Sequence, residues 1–391
     1  VALRETPLAA LHEGAGARMV GFAGWRLPLQ FSSVAEEARA TRRAAALFDI
    51  SHMGNLRLRG PDALAAGRYL LTRNVPSIPA GCAAYALLCN DAGGIVDDLF
   101  VMVISASSVG LVVNAVNHDK DVAWLNGHLP TSMQVELDDL RGQGFAIALQ
   151  GPHSEEILAE AAGGRRLPFL FATFSEMRVA GAEVLVSRTG YTGEDGFELF
   201  GQASEGPLVW QGLMEAGRGR GLVPAGLGAR DVLRQEMGYP LWGQDMEEQT
   251  SPLEAGLERA VDWEGEFIGR SALQGGRPER RRSGFRMLEA RVARRGAAIF
   301  SAGKRMGTVT SGTYSHNLGA AIGQGYVAPS AGVAAGGEVQ IEVRGRPTRA
   351  RIERFPFLPQ RTRTGWAHAR KACAEGRPVT QPEGSKDEHP G

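Results

Sequence analysis

Asn90-Asp-Ala-Gly-Gly-Ile-Val-Asp-Asp98 runs directly into the apolar stretch Leu99-Phe-Val-Met-Val-Ile104. Asn90 to Gly94 has the composition of a turn: glycine reaches the left-handed backbone that a tight reversal needs, and Asn and Asp bond their own backbone. The continuous apolar run after Asp98 predicts a buried strand. Two acids therefore sit at the mouth of a hairpin. Carboxylates beside a buried strand are costly unless they are paired or functional. Side chains alternate along a strand, so Asp97 and Asp98 face opposite sides and only one can serve a given pocket. Spacing alone leaves open which one, and leaves open a plain turn-bonding role.

Short strands flank this hairpin. Leu56 and Leu58 alternate with Arg57 and Arg59, and Val135 and Leu137 alternate with Gln134 and Glu136. Leu111–Val113, Phe145–Leu149 and Val184–Val186 are apolar runs, and Gln150-Gly-Pro152 is a turn. Ser33-Val-Ala-Glu36 is a capping box that predicts a helix through Ala46. Further helices are expected over Pro61–Leu71, from about Ser154, over Leu208–Met214, and from about Ala229 to Met237. After Asp245 helix signals thin out. Arg277-Pro-Glu-Arg-Arg-Arg282 reads as a solvated connector. Strands follow around Phe285–Leu288, Thr308–Thr310 and Val339–Val343, the last joined through Gly345 to Thr348–Ile352. That pattern predicts a separate all-β unit, a sandwich or small barrel. The charged, Pro/Gly-rich end from about Thr362 predicts a disordered tail.

Composition removes several function classes. At about 100–200 residues per domain, 391 residues suggest two to four domains. Lys+Arg and Asp+Glu both number 43, so net charge gives no reason to expect nucleic acid as a partner. No apolar run approaches the ~20 residues of a membrane span, and the N-terminal stretch lacks a signal-peptide core. Cys82, Cys89 and Cys373 include no CxxC pair, so neither a disulfide framework nor a cysteine zinc site is expected. Gly14-Ala-Gly16 and Gly226-Leu-Gly228 lack the strand-to-helix context of a dinucleotide fingerprint. Ser51 and His52 are adjacent and would point apart in a strand, which favours capping or packing.

Two more segments carry chemistry. Gly190-Tyr-Thr-Gly-Glu-Asp-Gly-Phe-Glu198 is a glycine-punctuated loop with one Tyr and three acids. It suits close approach to a flat ligand, or simply a hairpin. Arg230 and Arg234 share a helix face, where they either hold a carboxylate ligand or pair with Asp231 and Glu236.

Together with Met19-Val-Gly-Phe-Ala-Gly-Trp25, Leu47-Phe-Asp-Ile-Ser-His-Met53, Ala225-Gly-Leu-Gly-Ala-Arg-Asp231, Leu241-Trp-Gly-Gln-Asp245 and Thr310-Ser-Gly312, these segments resemble the tetrahydrofolate-dependent aminomethyltransferases, the T-proteins of the glycine cleavage system. The motifs stand in the family's order, and the resemblance covers roughly residues 5 to 357. The resemblance implies an α+β fold, a three-lobed cloverleaf around a folate channel. Residues 1–51 and 146–247 would form a discontinuous folate-binding first lobe, 52–145 the second lobe with Asp97-Asp98, and 248–361 a β-rich C-terminal barrel or sandwich. Residues 362–391 would be the disordered tail.

The implied reaction transfers the one-carbon unit from the aminomethylated lipoyl arm of the system's H-protein to tetrahydrofolate. Its products are 5,10-methylenetetrahydrofolate, ammonia and the dihydrolipoyl carrier. Tetrahydrofolate is thus the expected cosubstrate and the H-protein the expected partner, with no metal, nucleic acid or membrane. The compartment would be the cytoplasm in a bacterium or the mitochondrial matrix in a eukaryote. By the resemblance Asp98 is the catalytic acid, Glu198 reads the pterin edge, Tyr85 and Tyr191 are pocket aromatics, Arg230 is a pocket arginine, and Asn114 lies close to the catalytic acid. Gln235 and Trp242 stand where the family usually has Leu and Tyr, and Met102 stands where some members have a pocket Tyr. The alternative enzyme is a related tetrahydrofolate-dependent demethylase of a small methylated substrate. A folate-binding maintenance protein for iron–sulfur proteins would carry a Lys-Gly-Cys-Tyr segment, whereas this chain has Met237-Gly-Tyr-Pro-Leu-Trp-Gly243.

Overall fold

Residues 2–164 and 170–362 are described here in a computed structural model, and their apolar runs assemble into two large sheets, a small one and a barrel. The first large sheet has the strand order Phe174–Val179, Ala182–Ser187, Gly196–Gln202, Gly144–Gln150, Ala45–Asp49, Leu222–Ala225. Its pairings are antiparallel except the last, where Leu222–Ala225 runs parallel to Ala45–Asp49. Ser33 caps the helix Val34–Arg43 by accepting from the Glu36 amide at 3.2 Å. The helix expected to continue through Ala46 stops at Arg43. Ala45–Asp49 is buried along its whole length and paired on both edges, so tertiary pairing overrides the helical preference of the alanines. Glu37 in this helix accepts from the amides of Phe31, Ser32 and Gly226, which fixes the start of the helix Leu227–Met237.

Between Asp49 and Gly144 the chain leaves this sheet and builds an antiparallel one, ordered Cys82–Cys89, Ile95–Ser105, Ser108–Val113, Gly54–Arg59, Glu136–Asp139. Asp97 shares a strand face with Leu99, Val101 and Val103, which pack against Ala63, Ala66, Leu70 and Leu125 of two covering helices, Ala63–Leu70 and His118–His128. Asp98 shares the other face with Phe100 and Met102, which meet Phe174 and Leu185 of the first sheet. The hairpin turn is clamped from outside. Asn90 Nδ2 donates to the Glu248 carbonyl at 3.0 Å, and a Cβ at Gly94 would lie only 1.7 Å from that same oxygen.

The C-terminal β unit is a closed barrel, ordered Arg281–Met287, Ala320–Val327, Lys304–Ser315, Ala298–Ser301, Glu338–Val343, Arg346–Glu353. Its first strand starts at Arg281, a few residues before the strand expected around Phe285–Leu288. Ser251 opens the short helix Pro252–Ala255 with a capping box, and a second short helix spans Arg270–Leu273. Ala255, Ala260, Phe267 and Leu273 from this segment pack under Cys89 and Ile95 of the second sheet. Arg281 and Arg282, expected in a solvated connector, open the first barrel strand. Arg282 donates to the carbonyls of Ala255 at 2.8 Å and Gly238 at 2.6 Å. Beyond Thr362 the expected tail lies outside the described residues. Among the described residues no helix is long and apolar enough to cross a membrane.

Candidate active site

The register of the second sheet sets Tyr85 opposite Phe100 and Leu87 opposite Asp98. Tyr85 thereby reaches diagonally, and its hydroxyl donates to Asp98 Oδ2 at 2.9 Å. Asn114 follows the strand Ser108–Val113 and touches both acids. Its Nδ2 donates to Asp98 Oδ1 at 2.8 Å and to Asp97 Oδ1 at 2.9 Å, and its backbone amide donates to Asp97 Oδ2 at 3.0 Å. Asn117 Nδ2 adds a bond of 2.5 Å to Asp97 Oδ1. Asp97 is completely buried, whereas Asp98 is partly open.

Burial, then the neighbouring Asp97 carboxylate, push Asp98 up to about 7, against the pull of the Tyr85 and Asn114 hydrogen bonds. A carboxyl in that range exchanges protons near neutral pH, as a general acid–base group must. Burial and the Asp98 charge hold the Tyr85 hydroxyl well above its ordinary value, so it stays a donor.

The first sheet supplies the facing wall. A Cβ at Gly190 would fall 2.0 Å from Gln150 Oε1, so only glycine lets the loop close down there. Tyr191 next to it stacks on Tyr239 with centroids 5.5 Å apart and donates its hydroxyl to the Pro240 carbonyl. The Arg230 guanidinium, from the helix Leu227–Met237, lies 4.7 Å over the Tyr191 ring. Glu198 sits on the strand Gly196–Gln202 and accepts from Thr189 Oγ1 at 2.6 Å through Oε2. Burial raises its carboxyl, while Thr189 and Arg230 lower it. The Arg230 side chain makes no hydrogen bond or ion pair with the described residues. Burial lowers its pKa, against the nearby Tyr191, Glu198 and Asp98 charges.

The two arginines of that helix face are thus divided. Arg234 is tied to Asp231 at 2.8 Å, Asp245 at 2.7 Å and Ser311 at 3.2 Å, which fastens the helix to the barrel. Glu236 pairs with Arg42 instead. Asp98, Tyr85, Tyr191 and Arg230 lie close enough for their charges to act on one another, and Arg282 joins them from the barrel.

Trp242 donates Nε1 to the Ile95 carbonyl at 3.1 Å, Gln235 bonds Asp231 at 2.8 Å, and Met102 is buried against Phe174. His52 is buried and edge-on to Phe22 at 5.8 Å. Burial and Arg230 push it down to about 3, so it is neutral. Thr189, Asn117, Asp121 and Arg282 escaped the sequence, although Asn114 and Asn117 bracket a turn after a predicted strand, which is a usable signal. Among the described residues no three His, Cys, Asp or Glu side chains converge as metal ligands would.

The profile described as "GCVT N-terminal domain" matches residues 8–265, and "Glycine cleavage T-protein C-terminal barrel domain" matches residues 280–358. The aminomethyltransferase of Moorella thermoacetica is 43% identical over 359 residues, covering 91% of this chain and 98% of that protein. The aminomethyltransferase of Geobacillus kaustophilus is 42% identical over 364 residues, covering 91% of this chain and 98% of that protein. The solved structure of the glycine cleavage system aminomethyltransferase T from Bartonella henselae aligns with a TM-score of 0.85 at 34% identity, over 92% of this chain and 99% of that one.

Proposed function

The chain belongs to the glycine cleavage T-protein family and is an aminomethyltransferase, and from that premise we propose that Asp98 is its catalytic acid–base group and that Tyr85, Asn114, Tyr191, Glu198 and Arg230 form its tetrahydrofolate site. The family is folate-dependent in general and works within the glycine cleavage system. The finer assignment is tetrahydrofolate as cosubstrate and the lipoyl-bearing H-protein as partner. Bound tetrahydrofolate would supply the nitrogen nucleophiles that take up the one-carbon unit.

The residues fit such a ligand. Glu198 has one oxygen free of donors among the described residues, and a carboxylate accepts two parallel N–H bonds from a heterocycle edge. The Tyr191 and Tyr239 rings offer flat apolar surface. Arg230 is a cation without an acid partner among the described residues, available to a ligand anion. Asp98, oriented by Tyr85 and Asn114, would accept the proton shed by the attacking folate nitrogen as that nitrogen bonds the one-carbon unit, while the carrier's carbon–sulfur bond breaks to the dihydrolipoyl thiol and ammonia leaves. As a carboxylate it also stabilises positive charge on the one-carbon donor.

The observation that carries this assignment is Asp98 itself, held at both oxygens yet pushed to about 7. Its test is tetrahydrofolate-dependent ammonia release from aminomethylated H-protein, wild type against Asp98→Asn, beside a carrier-free control. Loss of release in the variant is expected. Turnover of a small methylated substrate without carrier would favour the demethylase alternative, which the relatives do not support. We further propose that the β assemblies mark three lobes: residues 1–51 with 146–247, residues 52–145, and residues 248–361. The compartment follows the rest of the system, cytoplasm in a bacterium and mitochondrial matrix in a eukaryote.

A further inference from the structure

Behind Asp98, on the far face of its strand, the helix His118–His128 brings Asp121 up to Asp97. Both carboxyls are completely buried. Their surroundings differ sharply. Asp97 takes the backbone amide and Nδ2 of Asn114 and Nδ2 of Asn117. Asp121 receives no hydrogen bond from any donor among the described residues, at either oxygen. Lys120, beside it in the helix, is turned elsewhere: its ammonium donates to the Val96 carbonyl at 2.6 Å and to Glu248 at 3.0 Å, and it lies 3.7 Å over the Trp242 ring.

A buried carboxylate without donors is very costly, and two buried carboxyls in contact do not both ionise. The three N–H donors mark Asp97 as the anion, which leaves the proton on Asp121. We infer that Asp121 is a positioning residue for the reaction: as a neutral acid it donates its O–H to Asp97 and leaves the buried pair with a single negative charge behind Asp98.

The charged groups facing Asp121 are Asp97 and Asp98 from the strand and Lys120 from its own helix. Burial and Asp97 raise Asp121 to about 11, so it keeps its proton across the working range. Two consequences reach Asp98. It senses one neighbouring charge instead of two, and a second would raise its proton affinity beyond the useful range. The O–H also completes the bonds that fix Asp97, which fixes Asn114, which orients Asp98.

The inference rests on Asp98 being the reacting acid, and its test separates the two claims. Full-length enzyme labelled with carboxyl-¹³C aspartate is examined by infrared spectroscopy at pH 9, where Asp98 is ionised. A protonated aspartic acid band is expected in the wild type and is lost in Asp121→Asn. In the pH profile of turnover, Asp121→Asn retains an N–H donor toward Asp97 and holds the acid limb in place. Asp121→Leu has no donor and lowers kcat about tenfold or more with little change in KM. Absence of the band, or a downward shift of the limb by about one pH unit in Asp121→Asn, would show that Asp121 is ionised and overturn the inference. Normal turnover in Asp98→Asn would instead overturn the catalytic assignment and leave the band where it is.

Discussion

Asp98 has both carboxylate oxygens taken, by Tyr85 and Asn114, whereas Glu198 on the facing wall has one taken, by Thr189, and Arg230 beside it has no acid partner among the described residues. The strand carrying Asp98 is fastened from behind by Asn114 and Asn117 and at its turn by Asn90. On the facing wall the scaffold bonds belong to other residues: Gln150 under the loop and Arg234 at the barrel contact. The difference is the one that the proposed roles of the two regions require. A reacting group gains from being held in place before charge develops. A recognition group is useful only if its bonding capacity remains open to the ligand.

Four measurements can break or sharpen that contrast. Asp98→Asn keeps the volume and removes the basic oxygen, so turnover falls by roughly 10²–10⁴-fold while folate affinity changes far less. Near-normal turnover would make the whole acid strand structural. Glu198→Gln should do the reverse. One oxygen of the acceptor pair becomes an amide donor, and calorimetric titration with a reduced folate should show a loss of about 1–3 kcal/mol. Unchanged affinity would place Glu198 in the scaffold.

Asp97→Asn tests the buried side of the strand. It removes a charged acceptor from three N–H donors, and thermal unfolding should register a loss of about 1–3 kcal/mol, with a smaller cost in turnover than at Asp98. The smallest effect concerns pH. The acceptor form of Asp98 is its carboxylate, so turnover should climb as pH rises through about 7. Tyr85→Phe removes a bond that lowers Asp98, and the limb should move to higher pH by about 0.5–1 unit. A limb that moves down, or stays, would mean that Tyr85 does not stabilise the carboxylate. The same raised value carries a linkage. The folded chain binds this proton more tightly than the unfolded one, so the stabilisation is complete below the ordinary carboxylate range and is lost as pH rises through about 7.

Sequence alone determined whatever depends on neighbours along the chain. The Asn90–Gly94 turn, the opposite facing of Asp97 and Asp98, the Ser33 cap and the alternation in Val339–Val343 all follow from local backbone chemistry, and each has its counterpart in the fold. The ordered motifs extended this to the family and suggested the residues proposed for its site. Only the tertiary structure decided between groups that look alike in the chain. Arg230 and Arg234 are equivalent on a helical wheel, but Asp245 and Ser311, brought in from the barrel side, claim Arg234 and leave Arg230 open. Ala45 reads as helix until Gly144–Gln150 and Leu222–Ala225 pair around its strand. Arg282 reads as solvated until the barrel closes over it, and Asp121 is one acid among several in a polar helix until it meets Asp97. In each case the deciding partner is distant in the chain or on another element, and burial then sets the charge state. Neither is encoded in local spacing.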